Sequence, residues 1–127
     1  MSGLVEVTLP NAPTTGAPYS KAIIANGQVF CSGQIGLDPA TNQISTGGIQ
    51  EQTKLCLLSM KQILEAAGSS MDKVVKTTVF LSDISEWPAM NEEYAKHFSK
   101  PAPARSAFQV AALPFGAKVE VECIALA

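Results

Sequence analysis

Polar and apolar positions alternate near both ends of the chain, and a longer period replaces the alternation in between. LVEVTL (4–9) alternates and reads as a short strand, while NAPTTGAPYS (11–20) is too rich in turn formers for a helix. KAIIANGQVFCSG (21–33) carries two apolar runs around Asn26-Gly27, a dipeptide suited to a type I′ turn because both residues tolerate positive φ. That segment is expected to be a β-hairpin. QIGLDPATNQISTGG (34–48) reads as a loop with turn chemistry at Asp38-Pro39.

From Ile49 the period lengthens. Ile49, Thr53, Cys56, Met60, Ile63 and Ala67 fall at steps of three and four, which predicts an amphipathic helix over about 48–67 ending at Gly68. KVVKTTVFLSD (73–83) is β-branched and predicts a strand. Ser85, with Pro88 in the following turn, predicts a second helix running to about Ser99, before Pro101 and Pro103. RSAFQVAAL, the turn PFGA and KVEVECIAL then read as a second hairpin closed by a longer loop.

The order β, ββ, α, β, α, ββ leaves two helices for about six strands, too few to cover both faces of a sheet. A two-layer α+β domain follows, with a mixed sheet and both helices on one face. The chain of 127 residues is expected to form a single domain over 1–127. Hydrophobic residues make up 46% and charged residues 16%, more apolar character than a small surface needs, which points to subunits packing sheet against sheet.

The net charge of −2, without a lysine run, argues against nucleic acid as a partner. No segment has the roughly 20 apolar residues needed to span a membrane. Cys31, Cys56 and Cys123 are odd in number, sit in apolar contexts and lack metal-ligand spacing. They are expected to be buried reduced thiols of a cytoplasmic protein, with the mitochondrion as the other compartment to consider. His97, the only histidine, reads as a surface residue on a polar helix end, and no metal site is expected.

Arg105 is the sole arginine and heads an apolar strand. If Phe108 and Val110 face the helices, strand alternation turns Arg105 and Ala107 to the opposite, subunit-facing side. A guanidinium there can grip a carboxylate with two parallel bonds, or close a structural ion pair. Glu120 and Glu122 share one face of the last strand, about 6–7 Å apart, on a solvated edge or in a cleft. With the second hairpin turning near 115–116, Arg105 opposes roughly Leu126 and lies on the order of 20 Å from Glu120, so only a neighbouring subunit could unite the two. The SGQIG run (32–36) offers either exposed backbone donors beside a ligand or an ordinary strand exit.

The motifs APYSKA (17–22), SGQIGLDP (32–39), VVKTTVFLSDI (74–84), MNEEYAKHF (90–98), PARS (103–106) and VEVECIA (119–125) occur in an order that resembles the RidA family, also called YjgF/YER057c/UK114. The resemblance implies a chorismate-mutase-like fold, a homotrimer with ligand clefts between subunits, and hydrolysis of reactive 2-imino acids such as 2-iminobutanoate and 2-iminopropanoate to 2-oxo acids and ammonia. It implies no metal or organic cofactor. Carried over by position, Arg105 binds the substrate carboxylate and Glu120 orients the attacking water, while Tyr19, Ser32, Gly33 and Asn91 line the cleft. Many members have PARSC where this chain has Ala107, so that residue is expected to contribute a backbone N–H. Two other functions are weighed against catalysis: a binding module for small carboxylic acids, and a ribonuclease or translation inhibitor.

Overall fold

The computed structural model describes residues 3–10 and 16–127. Residues 11–15 of the expected turn segment lie outside that range. The strands are β1 (Val5–Val7), β2 (Ala22–Ala25), β3 (Gln28–Ile35), β4 (Leu37–Asp38), β5 (Gln43–Ile44), β6 (Val74–Leu81), β7 (Ala104–Gln109) and β8 (Val119–Leu126). The helices are α1 (Ile49–Ala66) and α2 (Trp87–Ala95). Six strands form one mixed sheet in the order β1-β2-β3-β8-β6-β7, and β4 and β5 form a separate pair. Both helices lie on one face of the large sheet, the two-layer α+β arrangement expected from the element order.

Local chemistry explains the boundaries. Asn26 (φ 50°) and Gly27 (φ 74°) make the tight turn between β2 and β3. In α1 the stripe Ile49, Thr53, Cys56, Met60 and Ile63 is buried, with Leu57 and Leu64 beside it. Gly68, at φ 81°, ends the helix in a Schellman arrangement. Its N–H bonds to the Glu65 carbonyl at 3.0 Å, and the Ser69 N–H bonds to the Leu64 carbonyl at 2.8 Å. On the sheet, Val29, Cys31, Val79, Val119, Val121, Cys123 and Ala125 meet this helical face. Each fully buried Leu, Ile or Met contributes about 1.5–3 kcal/mol, so the α1–sheet layer carries most of the core.

Several expectations are corrected. The segment 105–126 is not a hairpin. β7 runs parallel to β6, with Arg105 opposite Thr77, and β8 lies between β3 and β6. The rows Val119, Val121, Cys123 and Ala125 are completely buried or nearly so, and a strand with that demand gains more from two neighbours than from a sheet edge. β6, α2 and β7 instead form a parallel crossover unit.

The second helix is also shorter and capped elsewhere. Asp83 Oδ1 accepts from the Ser85 N–H at 2.9 Å and from the Ser85 hydroxyl at 2.7 Å, and a single 3-10 turn (Ile84–Glu86) precedes α2. α2 ends at Ala95 rather than near Ser99. The Lys96 and His97 N–H groups bond three residues back, to Glu93 and Tyr94, which tightens and closes the last turn. Finally, the expected loop at 34–48 contains the β4–β5 pair, with Asn42 at φ 57° in its turn.

The phase of β7 is inverted relative to expectation. Arg105 and Ala107 face α2, whereas Phe108 stands on the open face of the sheet, edge-on to Phe80 with ring centroids 5.4 Å apart. Phe30 and Phe108 remain 42% and 45% exposed on that face, so the chain by itself leaves aromatic surface uncovered there. Cys31, Cys56 and Cys123 are buried and free.

Candidate active site

Arg105 is half-buried on β7, at the outer edge of the sheet. One guanidinium N–H donates to Asn91 Oδ1 at 2.7 Å. The guanidinium carbon lies 4.9 Å from the centroid of the Tyr94 ring and 5.8 Å from that of Trp87. All three partners are uncharged side chains of α2, and among the described residues Arg105 forms no salt bridge. The single arginine is therefore not in bulk solvent, no carboxylate among the described residues neutralises it, and most of its donors remain available to an anion. Ala107 follows two residues later in the same row, partly buried.

A second cluster is built around a β-bulge. β3 and β8 pair Cys31 with Cys123 and Gln34 with Val121, so Ser32 and Gly33 together oppose Glu122 alone. The Ser32 hydroxyl donates to the Ser20 carbonyl at 2.6 Å and pins the bulge to the segment before β2. The carboxylate of Glu120 lies across the backbone of Gly33, where a Cβ would come within 2.6 Å of Oε2. Burial holds the Glu120 carboxyl above its ordinary value, and the nearby Glu122 pushes it further the same way. A groove of about 400 Å³ opens beside the bulge, lined in part by Tyr19, Ser20, Phe30, Ser32, Glu122 and Ile124. Tyr19 stands at its rim, 60% exposed.

The two clusters do not meet within one chain. Arg105 aligns with Thr77, and Thr77 with Cys123. Glu120 is thus two strands across and three residues along, roughly 14 Å away. Its side chain also lies on the open face, whereas that of Arg105 lies against α2. The separation expected from the sequence survives, although the hairpin register behind that expectation does not.

Sequence reasoning missed Trp87 and Tyr94, which together with Asn91 form the setting of the guanidinium. Their spacing, 87, 91 and 94, is one helical stripe and was the available signal. His97 is also not a surface residue. Its side chain is 16% exposed and its Nε2 lies 2.6 Å from Glu93 Oε2. Burial pushes the Glu93 carboxyl up, but hydrogen bonds from His97 and Lys96 outweigh it and leave Glu93 below its ordinary value. Among the described residues no group of three or more His, Cys, Asp or Glu is placed to hold a metal ion, and no helix is long and apolar enough to cross a membrane.

Residues 9–127 match the family described as Endoribonuclease L-PSP. The chain belongs to the YjgF/RidA family. Within the RidA family it is 44% identical to the human 2-iminobutanoate/2-iminopropanoate deaminase over 128 residues, 99% of this chain and 93% of that protein. It is 48% identical over 119 residues to the chloroplastic Reactive Intermediate Deaminase A of Arabidopsis thaliana, covering 94% of this chain but only 64% of the plant protein. A crystal structure of an L-PSP chain from Entamoeba histolytica superposes with a TM-score of 0.91 at 52% identity, covering 98% of this chain and 99% of that one. The six-stranded sheet with two helices on one face is thus the RidA fold.

Proposed function

We propose that this protein is a 2-imino acid deaminase, hydrolysing 2-iminobutanoate and 2-iminopropanoate to the 2-oxo acids and ammonia, in clefts between the subunits of a homotrimer. The observation that carries the reading is Arg105, a guanidinium held, among the described residues, by neutral side chains and therefore ready for an organic anion. The names of the human and plant relatives point to the same chemistry. The assembly is supported by the uncovered aromatics Phe30 and Phe108 and by the separation of Arg105 from Glu120 in one chain.

The mechanism follows from these parts. Arg105 takes the substrate carboxylate in two parallel bonds, and Ala107 and Gly33 supply backbone groups along the cleft. Tyr19 closes one wall. Glu120 of the neighbouring copy accepts a proton from water as the oxygen attacks the carbon of the protonated C=N bond. The carbinolamine takes that proton onto nitrogen and expels ammonia while its hydroxyl gives its own proton to Glu120, so the C=O of the 2-oxo acid forms as the C–N bond breaks. A protonated imine is already electrophilic, so positioning and one general base supply enough catalysis. The step needs neither a metal nor an organic cofactor. Removal of such an electrophile protects other nucleophiles, and three free buried thiols suit a reducing compartment such as the cytoplasm.

The family description also names ribonuclease activity. Against it stand the net charge of −2 and the pair Glu120 and Glu122 on the open face, which repel a phosphate backbone. A carboxylate-binding module without turnover would keep Arg105 but have no use for Glu120. The deciding experiment generates 2-iminobutanoate in situ with an amino-acid dehydratase and times its decay. Faster decay with the protein, abolished by Arg105→Ala and by Glu120→Gln, is expected. Identical decay with and without protein overturns the deaminase reading, and retained 2-oxobutanoate binding in that case identifies the binding module.

A further inference from the structure

One face of α2 is built around a single side chain of the neighbouring strand. Trp87, Asn91 and Tyr94 stand at i, i+4 and i+7, and all three touch Arg105. Tyr94 has a second anchor. Its hydroxyl lies 2.7 Å from the hydroxyl of Thr77, a fully buried residue of β6, and Thr77 is the register partner of Arg105 itself. The contacts close a ring, from Arg105 over the Tyr94 face, through its hydroxyl to Thr77, and back across the β6–β7 pairing. Phe98 packs on the Tyr94 ring with centroids 4.8 Å apart, so the ring is held from a third side.

We propose that Tyr94, locked by Thr77, is a positioning residue that sets the direction of the Arg105 guanidinium for the substrate carboxylate without neutralising its charge. The inference rests on the deaminase reading of Arg105. Its physical basis is a choice of partners. A carboxylate beside Arg105 would hold it firmly but compete with the substrate for the same fork of donors. An aromatic face attracts a cation and offers no such competition. The Asn91 amide takes one of five N–H donors and leaves four, enough for two parallel bonds to an acid anion. Burial pushes the Tyr94 hydroxyl up, so it stays a neutral phenol at neutral pH rather than a phenolate that would itself pair with Arg105.

Tyr94→Leu removes both ring face and hydroxyl. It is expected to raise the KM for 2-iminobutanoate and the Ki for 2-oxobutanoate by the same factor, about tenfold, with kcat within about threefold of the parent. Tyr94→Phe keeps the ring and should recover part of that loss. In an Arg105→Lys background Tyr94→Leu should change Ki less than twofold. A merely structural tyrosine would instead lower thermal stability and kcat, and its effect would persist in the Arg105→Lys background. Should Tyr94→Leu fail to fold, Tyr94→Phe and Thr77→Val carry the test, since each removes the same hydrogen bond. Each should raise Ki about two- to fivefold, and the pair together no further. Unchanged Ki in folded variants, or additive effects, overturns the proposal. The Arg105 Nε–Hε NMR signal of the ligand-free protein separates the two claims. It should be sharp in the parent and broadened in Tyr94→Leu, and an equally sharp signal in that variant overturns the positioning role whatever the turnover. Broadening together with absent turnover by the parent would sink the deaminase reading and leave the ordering of Arg105 standing.

Discussion

Glu120 rests its carboxylate over the backbone of Gly33, so close that a Cβ on Gly33 would stand 2.6 Å from Oε2. The bulge in β3 presents a residue without a side chain where β8 presents its acid, and the acid fills the space. Gly33→Ala should therefore displace the far end of Glu120 rather than the backbone. Stability is expected to hold, or to rise by about 0.4–1 kcal/mol through the less flexible unfolded chain. Deaminase activity should fall roughly a hundredfold as the base moves off line. Thermal melts and imine decay on the same sample check both parts, and undiminished activity would separate Glu120 from the chemistry.

The elevated Glu120 carboxyl sets a pH dependence. As a base it works ionised, so the acidic limb of kcat/KM should lie above the ordinary glutamate value of 4.5 and disappear in Glu120→Gln, which should also lose about a hundredfold or more in rate. Stability runs the other way. A carboxyl raised on folding contributes fully below its unfolded pKa, and that contribution is lost as pH rises through the folded value. Glu120→Gln is thus expected to melt higher than the parent at pH 7, with the difference closing below about pH 4. Parallel melting curves at all pH values would contradict the raised carboxyl.

Assembly can be tested on the open face. Phe108 is 45% exposed and meets Phe80 edge-on, so Phe108→Asp should cost the single chain only about 0.5–1.5 kcal/mol from the ring pair. Placed against another copy, the new charge should be far more damaging. If the proposed trimer forms through this face, sedimentation should show a folded monomer, and imine hydrolysis should be lost. A folded monomer of full activity would place the whole site within one chain.

Ala107 shares its row with Arg105, at the position where the resemblance to the RidA family implies a cysteine. If the residue acts through its backbone, Ala107→Cys should leave kcat/KM within about threefold of the parent. A gain well beyond that would assign the side chain a part in turnover, and Ala107 would then be the feature that limits this protein.

The elements were legible wherever a local rule governs them. Asn26-Gly27 can hardly be anything but a tight turn, the Ile49–Ala67 stripe needs a helical period, and Gly68 suits the left-handed residue that ends it. The strand pairing was not legible in the same way. Residues 105–126 look like a hairpin because two strands follow one another closely, yet β8 is claimed by β3 and β6, both distant in sequence. The phase of β7 misled for a related reason. Alternation and apolar character point Phe108 to the core, but Phe80 on the open face gives its ring a partner there, leaving the helix side to Arg105 and Ala107.

By itself, then, the sequence determined the residue types of the site, the turn and helix signals and the two-layer class. Each of these depends on neighbours along the chain or on totals over it. Only the tertiary structure decided that α2 lies over β7, so that Trp87, Asn91 and Tyr94 hold Arg105, and that a bulge slides Gly33 beneath Glu120. Those relationships depend on which strands share hydrogen bonds. That choice is settled by the burial of whole strand faces at once, a long-range energy that no local pattern in the chain records.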